Sequence, residues 1–359
     1  MTDPFSIIKT ELPRDRWGRP LITPPDGGET VAYQRVTTFV GALEDTYHLS
    51  LWSQRMVALG MANRPDLQLA ASAITDPTDQ YAKRTLNDIA KSAREAAGAG
   101  AAATTGTALH TLSEKIDRGE DVGTVPAAYL PDLEAYRRVT KYFATLAIEG
   151  FCVRDDLRVG GSYDRIVQFT AEGLDQYERE HGERLCYPGP DADGNIRAGL
   201  GDEVQPGDTM IGDLKTGNVD FGIGKIAMQL GTYANSVDYD HTLGARTPLV
   251  GNPSKKWGVI VHLPAGTGAA RLIFVDVAAG FDTAYVLAVG VHAWRKRKDL
   301  SFPFASVQVH ADLGPSLVEQ INAAPSYKAL ESIYQANAEK WTPGLTTLAK
   351  ARTAELAAS

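Results

Sequence analysis

The sequence predicts an α/β chain of the α+β kind, with a mixed central β-sheet flanked by helices and a helical lobe ahead of it. Three observations carry this. Thr78 to Asp117 has few breakers other than the glycines at 98–106, which predicts helices. Short apolar runs at 151–169, 209–216, 256–263 and 270–277 predict strands. The segments 224–239 and 282–298 between and after those runs predict helices, so the order is helices, antiparallel strands, then helix–strand–strand–helix.

Taken in order, residues 1–30 are rich in proline, glycine and charge ("PRDRWGRPLITPPDGGE"), which predicts an extended N-terminal arm, either packed by Trp17 and Ile22 or partly mobile. "YQRVTTFVGAL" predicts a short strand or turn and then a helix, capped by Thr37 or Thr38. Leu43, Leu49, Trp52 and Met56 continue at helical intervals. The small residues of "GAGAAATTGTALHTLSEKI" suit a helix packed tightly against another backbone. "FCVRDDLRVGGSYDRIVQF" predicts two strands joined by a turn at Gly160–Gly161. A helical insert at 171–183 and an exposed polar loop at 188–208 follow, and two small helices are expected within 312–359. The expected division is an arm (1–30), a main domain (31–311, its helical lobe at 31–150 and its core at 151–311) and a C-terminal helical extension (312–359).

Composition narrows the function. At 359 residues and 43% hydrophobic the chain can bury a sizeable core. A formal charge of -8 and a pI near 5.4 exclude a nonspecific polycation, so nucleic-acid binding would need a local basic patch or a bound cation. The two cysteines, Cys152 and Cys186, are too few for a four-cysteine iron–sulfur cluster or an all-cysteine zinc site, and a reducing cytoplasm is the simpler expectation. The N-terminal charges do not suit a signal peptide, and "TAYVLAVGVHAW" is short for a bilayer span, so no membrane is expected.

The chemistry-bearing stretches come in a fixed order. In "GTALHTLSE", His110 and Glu114 are four apart, on one helix face; alone they read as a solvated pair. In "GGSYDRI", Asp164 shares a strand face with Ile166. In "MIGDLKTG", Asp213 and Lys215 point to one face and Leu214 to the other. In "QLGTY", Gln229 and Tyr233 are one helical turn apart. Two aspartates on strands that can lie side by side can hold a hard divalent cation, magnesium or manganese, through oxygen. A lysine on the same face can orient water or neutralise a phosphate oxygen, which suits phosphodiester hydrolysis. Neither a G-x-S-x-G nor a G-x-x-x-x-G-K-[ST] motif occurs, so the serine-hydrolase elbow and the P-loop are not encoded.

This ordered set, Gly-x-x-x-His, Gly-x-x-Asp, Asp-x-Lys-Thr-Gly and Gln-x-x-x-Tyr, resembles the PD-(D/E)XK nuclease superfamily. It is most similar to the RecB-like branch of phage and CRISPR-associated exonucleases, over roughly residues 35–300. Tyr163 stands where the superfamily's name has proline, and the interval from Asp164 to Asp213 is long for a simple hairpin. The resemblance implies a restriction-endonuclease-like core and a metal-dependent deoxyribonuclease, an exonuclease of recombination, repair or replication. The implied setting is a bacterial or phage-infected cytoplasm, with a recombination or replication protein as partner. It implies Asp164, Asp213, the Leu214 carbonyl and His110 as ligands of magnesium or manganese. Lys215 would be the catalytic ammonium, Gln229 and Tyr233 would organise the site or touch DNA, and Glu114 would stand behind the ligands. The iron–sulfur cluster of some relatives is not expected here. A structure-selective endonuclease on the same core and a catalytically silent nucleic-acid-binding module are the alternatives.

Two basic stretches could contact DNA. Lys255, Lys256 and Trp257 form one, and Trp294, Arg295 and Arg297 lie in the other, "WRKRK". Cations beside an aromatic ring suit a single strand. The second equally suits a plain cationic helix end. His262, within "VIVHLP", reads as a strand residue.

Overall fold

The computed structural model describes residues 11–220, 222–301 and 315–358. The first ten residues of the arm, and residues 302–314 with the expected start of the extension, lie outside the described residues. The chain divides into two compact units, Met1–Lys296 and Arg297–Ser359.

In the first unit the main-sheet strands are β1 (Gln34–Arg35), β2 (Phe143–Arg154), β3 (Val159–Phe169), β4 (Thr209–Lys215), β5 (Val237–Asp240), β6 (Ala245–Thr247), β7 (Trp257–His262) and β8 (Arg271–Asp276). The helices are α1 (Val36–Val40), α2 (Tyr47–Ala62), α3 (Pro65–Ser72), α4 (Gln80–Ala96), α5 (Ala101–Asp117), α6 (Leu130–Thr140), α7 (Ala171–His181), α8 (Ile223–Ala234) and α9 (Val277–Arg295). The strands form one mixed eight-stranded sheet in the order β6-β5-β2-β3-β4-β7-β8, with β1 alongside β3. The β4–β7 and β1–β3 pairs are parallel and the others antiparallel.

Alternation along the buried strands sorts side chains into two cores. Val259 and Val261 of β7 join Leu109, Leu133, Tyr136 and Tyr177 beneath α5, α6 and α7. Ile260, between them, joins Phe39, Met228, Tyr233 and Val277 beneath α1, α8 and α9. The domain is thus a helix–sheet–helix sandwich, the mixed sheet the sequence predicts. α2 and α4 pack so closely that a Cβ on Gly60 would lie 1.7 Å from the Ala93 carbonyl oxygen.

The structure corrects several boundaries. The first long strand begins at Phe143, inside the expected helical lobe. The β2–β3 turn is at 155–158, closed by Arg158 N–H donating to the Asp155 carbonyl at 3.1 Å, and Gly160–Gly161 lie within β3. Those glycines make room for neighbours instead: a Cβ on Gly161 would stand 3.2 Å from both the Tyr233 ring and Val36. α8 ends at Ala234, and Val237–Asp240 adds a strand beside β2 because Cys152 pairs with Asp238. α1 begins after Arg35 with no side-chain cap, since Thr37 and Thr38 are already inside it. The long interval after β3 holds α7 and a two-stranded ladder, Gly189–Pro190 with Ile196–Arg197, while β3 and β4 still pair directly. In the arm, Leu21–Ile22 pairs with Val31–Ala32 and Ile22 is buried. Trp17 does not pack the arm: it is 61% exposed, with the Arg16 guanidinium 4.0 Å above its ring.

The apolar run read as too short for a bilayer belongs to α9, which reaches 19 residues at a mean hydropathy of 1.2. Among the described residues it is the one helix that could cross a membrane by length and composition. A single such helix is a weak indication, because a core helix passes the same test. One side of α9 packs on α8, where a Cβ on Gly231 would meet the Val277 carbonyl oxygen at 2.5 Å.

The second unit contains α10 (Leu317–Ala323), α11 (Tyr327–Ala336) and α12 (Pro343–Ala358), one helix more than expected. Its own small core holds Ile321, Ala324 and Leu330.

Candidate functional site

The site forms where β3 loses its partner. Along one edge, β1 covers Val159–Gly160 and β4 covers Arg165–Gln168, leaving Gly161–Asp164 between them unpaired. The last paired step is Arg165 with Gly212, so Asp164 and Asp213 face each other one step further on. β4 continues past this point, and its free Leu214 N–H donates to Asp164 Oδ2 at 3.0 Å. A residue's N–H and C=O leave an extended strand on the same side, so the Leu214 carbonyl also faces the gap.

Asp213 is 2% exposed, and Lys215 Nζ lies 2.5 Å from its Oδ2. That ammonium is off the direction a hydrogen bond needs, and among the described residues no other donor bonds the buried Oδ2. Leu214 packs into the core under α5, so Asp213 and Lys215 share the opposite face as alternation requires. Burial, then the Asp164 charge, push the Asp213 carboxyl up to about 6, against the pull of Lys215 and Arg165.

α5 brings His110 and Glu114 to the same gap. A Cβ on Gly106 would stand 2.8 Å from Thr216 Oγ1, so this glycine lets the helix close over the residue after Lys215. The lower end of α5 is tied beneath the sheet. Arg165 Nε donates to Asp117 Oδ2 at 3.1 Å, its Nη2 donates to Ser113 Oγ at 3.1 Å, and the Tyr136 hydroxyl donates to Asp117 at 2.7 Å. His110 Nδ1 lies 3.4 Å from Asp164 Oδ2, long for a direct hydrogen bond. Burial holds the imidazole below its ordinary pKa, and Arg165 and Lys215 push the same way against Asp164. It is therefore neutral near pH 7, with a lone pair to offer. Glu114 is turned to Arg118, whose Nη2 donates to Oε2 at 3.2 Å.

Gln229 and Tyr233 stand on α8 behind the gap. Gln229 Nε2 donates to the Tyr233 hydroxyl at 3.3 Å, and the Tyr233 ring is buried against Gly161. Burial, then neighbouring Cys152 and more weakly the two aspartates, raise the phenol's pKa, so it stays protonated. These two residues brace the site from behind, and the buried ring offers DNA no surface.

Sequence reasoning missed Glu149 and Arg165. Glu149 lies across β2–β3 from Asp164, in a left-handed backbone conformation at φ 54. It lines a cleft of about 550 Å³ with His110, Glu114, Gly106 and Thr216. Although its side chain is exposed at the cleft mouth, partial burial and the charges of Asp164 and Glu114 push it up to about 7. The available signal was an acid in the apolar run "LAIEGF", hidden because 31–150 reads as helical. Arg165 follows Asp164 directly and is fully buried.

The expected DNA contacts fall elsewhere. Asp213 pairs with Ile260, so Lys255 and Lys256 stand about 13–17 Å back along β7 at 3.3 Å per residue, toward its other end. Trp257 is 6% exposed, stacked on Tyr187 with centroids 6.3 Å apart, so its ring cannot stack on a base. "KKW" looks the same whether its tryptophan faces solvent or core. Lys256 Nζ sits 5.7 Å from the Trp257 ring centre, and burial lowers the Lys255 pKa. Trp294 is 61% exposed at the end of α9, where Arg295 Nη2 meets the Ala42 carbonyl at 3.4 Å. Arg297 belongs to the second unit and pairs with Asp299 at 2.8 Å. His262 is a strand residue, its Nε2 3.0 Å from the Gly217 carbonyl oxygen. The insert at 171–208 joins the opposite end of β4, through Phe169 N–H donating to Asp208 at 2.9 Å, and lines no part of the cleft.

As the side chains stand, no three histidine, cysteine or acid groups among the described residues converge as a ready metal cage. The donor set still fits a hard cation: facing carboxylates, a carbonyl, a neutral imidazole and one buried carboxylate oxygen without an aligned donor. A scan against protein-family models finds no match and a search of curated proteins returns no relative, so the functional argument rests on this geometry and on the motifs that occupy it.

Proposed function

We propose that this chain is a divalent-metal-dependent deoxyribonuclease, using magnesium or manganese and acting on free DNA ends or single strands. The observation that carries this reading is Asp213 Oδ2, buried, lacking an aligned donor and flanked by Asp164 and Lys215. A buried carboxylate oxygen left so is costly unless something binds it. An oxygen-rich gap favours a hard cation over a soft one.

Asp213, Asp164, the Leu214 carbonyl and His110 would hold the cation. It would supply positive charge against the phosphate and acidify water. Asp164 keeps its second task of holding the Leu214 N–H, which fixes the carbonyl's direction. Lys215 stands on the same strand face, where its ammonium can meet a phosphate oxygen or orient a water beside the carboxylates. Gln229 and Tyr233 fix the β3 edge from behind, and Arg165 with Asp117 fixes α5 from below. In a chain of charge -8, a polyanion needs such local positive charge to approach.

End-labelled linear DNA incubated with magnesium or manganese is expected to shorten, and a chelator to stop it. Closed-circular plasmid is expected to persist longer than linear DNA. Intact linear DNA with both cations would overturn the reading. Equal loss of circles and linear molecules would assign an endonuclease to the same site.

A further inference from the structure

The cleft between α5 and β3 holds an acid that the four motifs do not include. Ile148 pairs with Arg165 and Gly150 with Tyr163, so Glu149 stands opposite Asp164 at a step where the ladder registers no pair. Its φ of 54 is a conformation that glycine adopts freely and glutamate does not. Glycine is available next door, at Gly150, where a Cβ would lie 2.1 Å from the Tyr163 hydroxyl. The strained position nevertheless carries a carboxylate. Strain of this kind persists where the surrounding structure holds it, and it concentrates at functional sites.

Among the described residues none gives the Glu149 carboxylate a hydrogen bond or an ion pair. It stands instead near two further acids, Asp164 across the ladder and Glu114 along the cleft. Glu114 is paired with Arg118, but no lysine or arginine among the described residues pairs with Asp164 or Glu149, and their mutual repulsion destabilises the metal-free protein. A divalent cation among them removes that repulsion. The independent sign of a ligand is Oδ2 of Asp213 on the facing strand, buried beside the Lys215 ammonium yet without an aligned hydrogen bond. Glu149 lines an open cleft, so its carboxylate can turn toward the gap without displacing packed side chains.

We propose that Glu149 is a further acid of this site: the left-handed kink in β2 presents its carboxylate to the cation held by Asp164 and Asp213. This rests on the metal-dependent reading above. It adds an oxygen donor from β2 to those from β3 and β4.

Manganese binding to the metal-free protein tests it, followed by calorimetry or by the loss of the free-ion electron paramagnetic resonance signal. Glu149→Gln keeps the shape and the backbone, and Glu149→Gly relaxes the backbone. Both are expected to weaken manganese binding by about 10- to 100-fold, the range seen when groups supporting a metal site are removed. The metal-free Glu149→Gly protein is expected to melt at or above the wild-type temperature, because it loses both strain and charge repulsion. Wild-type manganese affinity in either variant overturns the proposal. A wild type that binds no manganese overturns the metal reading beneath it, a separate result visible before any variant is made.

Discussion

Arg165 of β3 reaches beneath the sheet to Asp117 at the end of α5, Nε to Oδ2 at 3.1 Å, and neither side chain is more than 4% exposed. This buried pair connects the strand that carries Asp164 to the helix that carries His110. Burial raises the Asp117 carboxyl above its ordinary pKa, although Arg165 and the Tyr136 hydroxyl oppose that rise. Removing one partner strands the other charge in the core.

Asp117→Ala is therefore expected to destabilise the protein by about 3–5 kcal/mol, the range for breaking a buried ion pair. Urea unfolding followed by circular dichroism measures it. A loss below about 1 kcal/mol would show that the pair does not anchor α5.

Asp213 gives the metal-free protein a pH signature. Its folded pKa, about 6, lies above the ordinary 3.8, so the folded state holds the proton more tightly. Its contribution to stability is present below about pH 4 and is lost as pH rises through 6. A rise of about two units corresponds to roughly 3 kcal/mol at most. Asp213→Asn removes this loss. The variant is expected to melt higher than wild type without metal, with a larger gap at pH 8 than at pH 4.5. A gap that is constant with pH, or larger in acid, would contradict the burial of an ionisable Asp213.

The two tryptophans of the basic stretches are expected to behave oppositely. Trp257→Ala removes a core ring and should cost about 3–5 kcal/mol of stability. Trp294→Ala, at a largely exposed position, should cost far less stability than Trp257→Ala. If Trp294 stacks on a base, its loss should weaken single-strand binding by about 1–3 kcal/mol. Thermal melts and fluorescence-anisotropy titrations with a labelled oligonucleotide separate the two. A stable Trp257→Ala protein with impaired DNA binding would reverse the assignment.

Much of the site was legible in the sequence because strand alternation is strict. Asp213 and Lys215 share a face by counting alone, and the ordered motifs put Asp164 on a strand fit to lie beside them. The helical spacing of His110 and Glu114 placed both on one face of α5. The rest depended on long-range packing. Gly160–Gly161 signals a turn in local chemistry, yet it serves a tyrosine brought from α8. Glu149 sits on a strand that begins before the apolar run readable as one, at a kink that breaks the period-two pattern. Trp257 is flanked by lysines and buried because Tyr187, from the distant insert, closes over it.

The most direct test of the account is single-turnover cleavage of end-labelled linear DNA by Lys215→Ala, with manganese binding measured on the same sample. In the proposed reaction Lys215 acts on water and phosphate, so cleavage is expected to fall by about 10²–10³-fold, the loss that follows removal of one positioned charge-stabilising group. Manganese affinity should stay close to wild type, because the acids, the Leu214 carbonyl and His110 remain. Cleavage at the wild-type rate by Lys215→Ala would contradict the account.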